Sequence, residues 1–186
     1  MQRRELLKMI ALVTGGAVIG GEFLLTGCSP VSNNKEFNLT QDQINWLNEV
    51  AETILPKTNT PGAKDAKVGE FIFTQVRDCY SDEDQATFME CFKKLEITCK
   101  EVTGKTFLDC TAEEKTKALI AVDTERKEWN KEKRKEKHYF QMLKQLTLFG
   151  FFTSEPGATQ ALRYVAVPGR YDGCVDYTPG DRAWAS

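Results

Sequence analysis

Helix-start signals recur along this chain at a spacing that suits a helical bundle. Thr40 and Gln43 have the spacing of a capping box, as do Thr111 and Glu114, and Ser81 stands before three acidic residues. In a capping box the hydroxyl accepts from a backbone amide three residues on, and the later side chain accepts from the first amide. Each signal precedes apolar residues at helical spacing. The sequence therefore predicts helices that begin near residues 40, 81 and 111.

Apolar residues within these segments repeat every three or four positions, as one face of a helix requires. The first helix presents Ile44, Leu47, Ala51, Ile54 and Leu55. The third presents Phe88, Phe92, Leu95, Cys99 and Val102. Pro56 and Gly104 follow these two faces, and both residue types end helices.

Further helices are predicted from Val68 to about Tyr80, from 111 through Trp129, from about 138 to 150, and briefly over 156–162. Thr60-Pro61-Gly62 is typical of a tight turn, with proline at its first corner and glycine at its second. No segment shows the alternation of a strand. The predicted fold class is all-α: one small bundle of about five or six helices, followed by an irregular aromatic C-terminal tail.

The tail that begins at residue 163 differs in composition from the helices before it. Proline and glycine recur in it, yet tyrosine, tryptophan and arginine are frequent. Disordered tails are poor in aromatic residues, and these residue types often anchor protein interfaces. The tail either folds over its own bundle or binds a partner, and the two interpretations are compatible. The candidate partner-binding residues are Arg163, Tyr164, Pro168, Gly169, Tyr171, Cys174 and Trp184.

The first 28 residues have the form of an export signal. Its first part is typical of a twin-arginine signal: paired arginines are followed by two leucines and a lysine, namely Arg3, Arg4, Leu6, Leu7 and Lys8. A weakly apolar stretch of 17 residues follows over 9–25, and 25–28 has the form of a lipoprotein cleavage site. An uncleaved membrane helix, which needs about 20 apolar residues, and an ordinary secretory signal are the alternatives. We expect cleavage before Cys28 and lipid on its sulfur.

This interpretation divides the chain into a signal peptide (1–27), a lipidated tether (28–37) and a helical domain (38–186). It places the protein outside the cytoplasm, lipid-anchored at the periplasmic face of a membrane. The net charge of −2 gives no support to nucleic-acid binding. The chain contains neither a dinucleotide-binding glycine motif nor a haem attachment motif. Because the twin-arginine route carries folded proteins, we expect the cofactor to reside in a partner that this chain escorts.

Five cysteines lie beyond Cys28, and export makes disulfides permissible. Cys91 and Cys99 fall on one predicted helix, about 12 Å apart along its axis, which is beyond disulfide reach. Buried thiols with at most one bridge are the simplest interpretation. Cys174, in the tail, is the candidate for a bond to another molecule.

Two groups of residues resemble the gluconate 2-dehydrogenase subunit 3 family. The first is Ile54-Leu55-Pro56-x-Thr58-Asn59-Thr60-Pro61-Gly62-Ala63, followed by Ala66, Val68 and Phe71-Ile72. The second is Gly150-Phe151-Phe152-Thr153-Ser154, with Leu162-Arg163-Tyr164, Pro168-Gly169-Arg170-Tyr171 and Cys174. The resemblance extends over about 37–186.

This resemblance implies a non-catalytic accessory subunit of a flavin-dependent sugar or alcohol dehydrogenase. In such complexes FAD belongs to a large flavoprotein of the glucose–methanol–choline oxidoreductase type, and a cytochrome c often accepts the electrons. The small subunit carries the twin-arginine signal and escorts the large one. A lipoprotein cleavage site departs from the soluble version of this pattern and adds the role of membrane anchor.

Two other classes of function stay open at this stage. Catalysis by the chain itself has weak support, because the only histidine, His138, has no nucleophile beside it in sequence. A self-contained periplasmic ligand-binding lipoprotein is the second alternative, since a helical bundle can enclose an apolar pocket that sequence does not reveal. A closed apolar cavity would favour the binding protein, and an exposed aromatic surface would favour the accessory subunit.

Overall fold

Five α-helices form most of the part of the chain that the computed structural model describes, namely residue 5 and residues 37–132, 137–171 and 173–185. The elements are α1 (Gln41–Ile54), α2 (Val68–Cys79), α3 (Asp82–Thr103), a 3-10 turn (Phe107–Asp109), α4 (Ala112–Lys131), α5 (Tyr139–Thr153), a π-helical turn (Gly157–Ala161), β1 (Arg163–Tyr164) and β2 (Trp184–Ala185). The all-α prediction is confirmed. Within these ranges no helix is both long enough and apolar enough to cross a bilayer.

The predicted helix starts form as their sequences indicate. The Thr40 hydroxyl accepts from the Gln43 amide at 3.3 Å, and the Gln43 side chain accepts from the Thr40 amide at 2.9 Å. Thr111 and Glu114 make the same reciprocal pair. Ser81 caps α3 through the Asp84 amide. These bonds satisfy amides that have no partner within their own helix, so a local pattern is enough to fix where the helix begins.

The core lies between the five helices, where α1 packs on α2, α3 packs on α4 and α5, and α2 packs on α5. Its fully buried apolar side chains come from all five helices: Leu47, Val50, Ile72, Val76, Phe88, Leu95, Val122 and Leu143. Burial of a side chain of this kind contributes about 1.5–3 kcal/mol. Hydrophobic burial is therefore the main stabilising contribution, and the caps mainly set the ends of the helices.

Val102 is the one residue of the predicted α3 face that the structure places outside. It is 46% exposed, whereas Phe88, Leu95 and Cys99 are fully buried and Phe92 is half-buried. A 4-3-4-3 spacing has a period of 3.5 residues, while a straight helix turns once in 3.6, so the apolar stripe drifts along the helix. In the last turn the inward position consequently passes to the residue after Val102.

In the loop between α1 and α2, the turn lies at other residues than the sequence predicts. Residues 63–67 form the turn, and residues 60–62 do not. The Glu52 carboxylate organises the loop by accepting from the Lys57 and Lys64 amides at 2.9 and 2.8 Å. A Cβ on Gly62 would lie 2.4 Å from the nearer Glu52 oxygen. Gly62 is therefore required by this close approach, and not by a left-handed turn conformation.

The N-terminus of α2 is capped by a side chain from another helix. Lys67, which precedes α2, has a φ of 51° and makes no side-chain cap. The Asn48 side chain of α1 instead accepts from the Gly69 amide at 2.8 Å and donates to Glu70 at 3.1 Å. This contact between helices replaces the local capping signal that the sequence before Val68 lacks.

The C-terminal tail is more ordered than the sequence predicts. The short sixth helix forms as a π-helical turn, and the irregular tail contains two short strands, β1 and β2, which pair in parallel. Two-residue strands give too little alternation to be recognised from sequence. Their partners lie about 20 residues apart, so only the tertiary structure reveals the pairing.

Candidate partner-binding surface

The tail is a long loop whose two ends are tied together. The Arg163 amide donates to the Ala183 carbonyl at 2.8 Å, and the Val165 amide donates to the Ala185 carbonyl at 2.9 Å. In this register Arg163 lies opposite Trp184. The backbone bonds of β1 and β2 therefore close residues 166–182 into a loop at the end of the bundle.

Two arginine side chains, one on β1 and one just before β2, reinforce this closure. The Arg163 guanidinium carbon lies 4.4 Å from the centre of the Trp184 ring, which is cation–π geometry. Arg182 donates to the carbonyl oxygens of Thr159 and Gln160 at 3.2 and 2.9 Å. These carbonyls belong to the π-helical turn, and carbonyls at helix ends commonly lack intrahelical partners. Arg182 therefore ties the end of the tail to the turn that follows α5.

A tight turn stabilises the loop near its second end. The Asp181 amide donates to the Thr178 carbonyl at 2.9 Å, and the Thr178 amide donates to the Asp181 carboxylate at 3.1 Å. Gly180, between them, has a φ of 99°, a conformation that glycine adopts without steric strain.

The loop exposes apolar side chains throughout its length. Every described residue from 166 to 184 is exposed. Tyr171 is 93% exposed, Val167 80% and Tyr177 73%. Aromatic residues in water, on a loop fixed at both ends, form the kind of surface that protein partners cover. Of the two interpretations of the tail, the structure does not show this loop folded over its own bundle.

The predicted partner-binding residues fall into two groups in the structure. Arg163, Tyr164 and Trp184 lie together on the paired strands. Pro168, Gly169, Tyr171 and Cys174 lie on the exposed loop. Gly169 has a φ of 75°, and Cys174 is an exposed free thiol.

A second apolar surface lies on α5 and was not singled out from the sequence. Leu148, Phe149 and Phe152 are 36%, 52% and 39% exposed, and the Phe149 ring packs on its edge against Phe71. The sequence does contain an indication of this surface, because α5 carries apolar residues on nearly all its sides. A helix of that kind is usually covered on all sides.

A groove of about 380 Å³ lies between the α1–α2 loop and the π-helical turn. Its lining is mostly polar: Lys57, Thr58, Asn59, Thr60, Pro61, Asp65, Pro156 and Gln160. This groove differs from the closed apolar cavity that would favour a ligand-binding lipoprotein.

His138 has a packing and capping role in the structure. It is 3% exposed, its Nδ1 accepts from the Phe140 amide at 3.2 Å, and its ring stacks on Tyr139 with centres 4.4 Å apart. Burial lowers the pKa of His138 despite the Glu125 carboxylate nearby. Because Nδ1 accepts, the neutral ring carries its proton on Nε2.

Metal-ligand geometry is not found in the described ranges, where no three His, Cys, Asp or Glu side chains come together. The export-signal residues Arg3, Arg4, Leu6, Leu7 and Lys8, and the lipidation residue Cys28, lie outside the described residues.

Comparison with known families gives one match over most of the chain. The family model for gluconate 2-dehydrogenase subunit 3 matches residues 41–169, from the start of α1 into the exposed loop. Searches of curated proteins and of solved structures each gave no significant match. The match includes Arg163, Tyr164, Pro168 and Gly169, and it stops before Tyr171, Cys174 and Trp184. It covers well over half of the chain, and the protein therefore belongs to the gluconate 2-dehydrogenase subunit 3 family.

Proposed function

We propose that this chain is the non-catalytic small subunit of a periplasmic, membrane-associated flavin-dependent dehydrogenase complex. In this proposal it escorts a large flavoprotein of the glucose–methanol–choline type through the twin-arginine route. It then anchors that flavoprotein through lipid on Cys28. FAD and the chemistry belong to the large subunit, and a cytochrome c receives the electrons. Family membership supports the accessory role.

The observation that carries the proposal is the exposed aromatic loop. Its ends are fixed by the β1–β2 pairing and by Arg182, so binding a partner orders fewer residues than binding through a free tail would. Lower ordering entropy leaves more of the interface energy available for affinity. Among the residues that the structure describes, Tyr171 and Tyr177 are the most exposed aromatic side chains. Tyrosine is enriched among residues that dominate binding energy.

Co-purification tests the surface directly. The chain is co-expressed with a large flavoprotein of the glucose–methanol–choline type from the same organism and recovered through a tag on the chain. The yield of bound flavin is measured by absorbance. The double substitution Tyr171→Ser and Tyr177→Ser should reduce recovered flavoprotein by about 10-fold or more.

The control replaces two apolar residues that are also exposed to solvent but lie away from the loop. Leu108→Ser and Ile120→Ser alter side chains that are 52% and 61% exposed. This control should recover as much flavoprotein as the native chain. Equal recovery with the loop variant and the native chain would show that the loop is not the binding surface.

The escort role depends on the paired arginines. Replacing Arg3 and Arg4 by lysine should retain both the chain and the flavoprotein in the cytoplasm, as measured by dehydrogenase activity in separated cell fractions. Normal export of the flavoprotein with this variant would contradict the escort role and leave the binding role intact.

The anchoring role depends on Cys28. Cys28→Ala should block lipidation and signal processing, so labelled fatty acid should no longer be incorporated into the chain. Cys174→Ala is the matched control, because it removes another cysteine and should leave the label unchanged. Continued labelling of Cys28→Ala would refute the assignment.

The proposal that flavin and catalysis belong only to the large subunit is tested with the isolated chain. Purified without the flavoprotein, it should have no flavin or haem absorbance and no dehydrogenase activity. Stoichiometric flavin in the isolated chain would contradict the non-catalytic role.

A further inference from the structure

Two buried cysteines lie side by side at the junction of α3 and α4. The Sγ atoms of Cys99 and Cys110 are 3.5 Å apart, although the residues are eleven positions apart in sequence. Cys99 is fully buried in the penultimate turn of α3, and Cys110 is 7% exposed and stands directly before the Thr111 cap of α4. The predicted distance between Cys91 and Cys99 excludes a disulfide between those two residues. It does not exclude a disulfide between Cys99 and Cys110.

The loop that carries Cys110 is held by contacts on its other side. The Glu96 carboxylate accepts from the Phe107 amide at 3.1 Å and from the Trp46 indole at 2.7 Å. Phe107 is fully buried, with its ring centre 5.8 Å from that of Trp46. Since these contacts join the loop to α1 and α3, the approach of the two sulfurs is fixed by the surrounding packing.

Thr103 completes the cluster. Its hydroxyl donates to the Cys99 carbonyl at 2.7 Å, and its oxygen lies 3.3 Å from the Cys110 sulfur and 3.6 Å from the Cys99 sulfur. The hydroxyl proton is already donated, so the oxygen acts as an acceptor for a thiol. This arrangement accommodates the reduced pair without an unsatisfied group. The reduced state, in which both Cys99 and Cys110 are thiols, is therefore compatible with this packing.

We propose that Cys99 and Cys110 form a reversible disulfide when the chain meets an oxidising disulfide donor. The inference is independent of the proposed function, because it needs only such a donor and the folded domain. Bond formation requires the sulfurs to close from 3.5 Å to about 2.05 Å. The bond would fix the end of α3 to the start of α4.

The reaction proceeds by two thiol–disulfide exchanges. The Cys110 thiol loses its proton and attacks the donor disulfide, which forms a mixed disulfide and releases one donor thiol. The Cys99 thiol then loses its proton and attacks the Cys110 sulfur, which releases the second donor thiol. The two protein thiols lose two electrons and two protons, and the donor disulfide gains both. Cys110 reacts first because it is the more accessible, and burial raises the pKa of Cys99 to about 11.

The other cysteines of residues 37–185 are poor candidates for the same bond. Cys91 is fully buried, and burial raises its pKa strongly. Cys79 and Cys174 are exposed and free. The pair is therefore expected to oxidise selectively within the chain, while Cys79 and Cys174 remain able to react with other molecules.

The experiment uses the purified full chain, incubated with oxidised glutathione and then with an alkylating reagent in denaturant. Peptide mass spectrometry should show the peptides containing Cys99 and Cys110 linked, with a mass loss of two hydrogen atoms. The melting temperature should rise by about 5–10 °C and return on addition of dithiothreitol.

Three variants make the result specific. Cys99→Ser and Cys110→Ser should each abolish the linked peptide and the rise in melting temperature, whereas Cys91→Ser should keep both. The native chain's peptide map does not depend on how well any variant folds. If Cys99 and Cys110 are still alkylated as free thiols after the incubation with oxidised glutathione, the proposal is overturned. Linkage of either sulfur to Cys79 or Cys174, or a glutathione adduct on Cys110 without the Cys99 link, would also overturn it.

Discussion

Arg163 and Trp184 face each other across the β1–β2 pair, with the guanidinium carbon 4.4 Å from the centre of the indole ring. The contact joins the two strands that close the exposed loop of residues 166–182. Arg163 also lies 3.8 Å from the Asp181 carboxylate, but both side chains are more than a third exposed, so this ion pair contributes little. The cation–π contact is therefore the main side-chain interaction between the two strands.

Arg163→Met should loosen the loop without destabilising the bundle. Methionine keeps an apolar stem but removes the cation, and an exposed cation–π contact contributes about 0.5–1 kcal/mol. Amide hydrogen exchange at Val165, which donates to Ala185, should accelerate about 2- to 5-fold, while exchange in α3 should be unchanged. Lys117→Met, an exposed substitution on α4, is the control and should not alter Val165. Unchanged exchange at Val165 in Arg163→Met would show that the backbone bonds alone hold the strands.

Gly62→Ala should destabilise the chain through the Glu52 side chain. The new methyl would lie 2.4 Å from a Glu52 oxygen, so the carboxylate would have to leave the Lys57 and Lys64 amides. We expect a loss of about 1–3 kcal/mol in the free energy of unfolding, measured by urea denaturation.

Glu52→Ala should have a similar effect to Gly62→Ala, because it removes the same two hydrogen bonds. The double variant should lose clearly less than the sum of the two single losses. Glu101→Ala, an exposed change on α3, should be within about 0.5 kcal/mol of the native chain. Full additivity of Gly62→Ala and Glu52→Ala would contradict a shared mechanism.

Asp123→Asn should weaken the contact between α4 and α5. Asp123 accepts from Arg126 at 2.9 Å and from Lys144 of α5 at 3.0 Å, and Lys127 is 3.2 Å away. Partial burial alone would raise the pKa of Asp123, but these hydrogen bonds outweigh it and hold the pKa well below its usual range. We expect a loss of about 1–3 kcal/mol at pH 7 in urea denaturation.

The pH dependence of this difference follows from the lowered pKa. The stabilisation by Asp123 is fully present above the unfolded pKa of about 3.9 and is lost as pH falls toward the lower folded value. The gap between native chain and variant should therefore shrink below about pH 4. Asp78→Asn removes a carboxylate from an exposed ion pair with Arg77 and is the control, which should leave the urea midpoint nearly unchanged because solvent screens such pairs. A gap that is constant with pH would contradict the role of the charge.

His138→Asn should reduce the loss of stability on mild acidification. The folded pKa of His138 is lowered by burial, so the unfolded chain binds a proton more readily. Its contribution is fully present above the unfolded pKa of about 6.5 and is lost as pH falls below that value. Asparagine keeps an acceptor for the cap of α5 but does not titrate.

The measurement is the urea midpoint at pH 7.5 and at pH 5.5. It should fall between these values in the native chain and fall less in His138→Asn. His138 is the only histidine in the chain, so a histidine titration in this range has one source. Equal falls in both proteins would show that another group controls stability there.

The helices could be predicted because their signals are local. Thr40 with Gln43, and Thr111 with Glu114, place each capping pair within one helical turn. The start of α2 could be located only from its apolar residues, because its cap comes from Asn48 on another helix. The predicted turn at 60–62 was wrong for a related reason, since the loop is shaped by Glu52, ten positions before Gly62.

The sequence by itself determined the all-α class, the order of the helices and most of their ends, because caps and apolar periodicity act over a few residues. The tertiary structure decided the pairing of Arg163 with Trp184, the exposure of the loop between them, and the approach of Cys99 to Cys110. These relationships join residues that are distant in sequence. They depend on how the helices pack, and no local pattern specifies that packing.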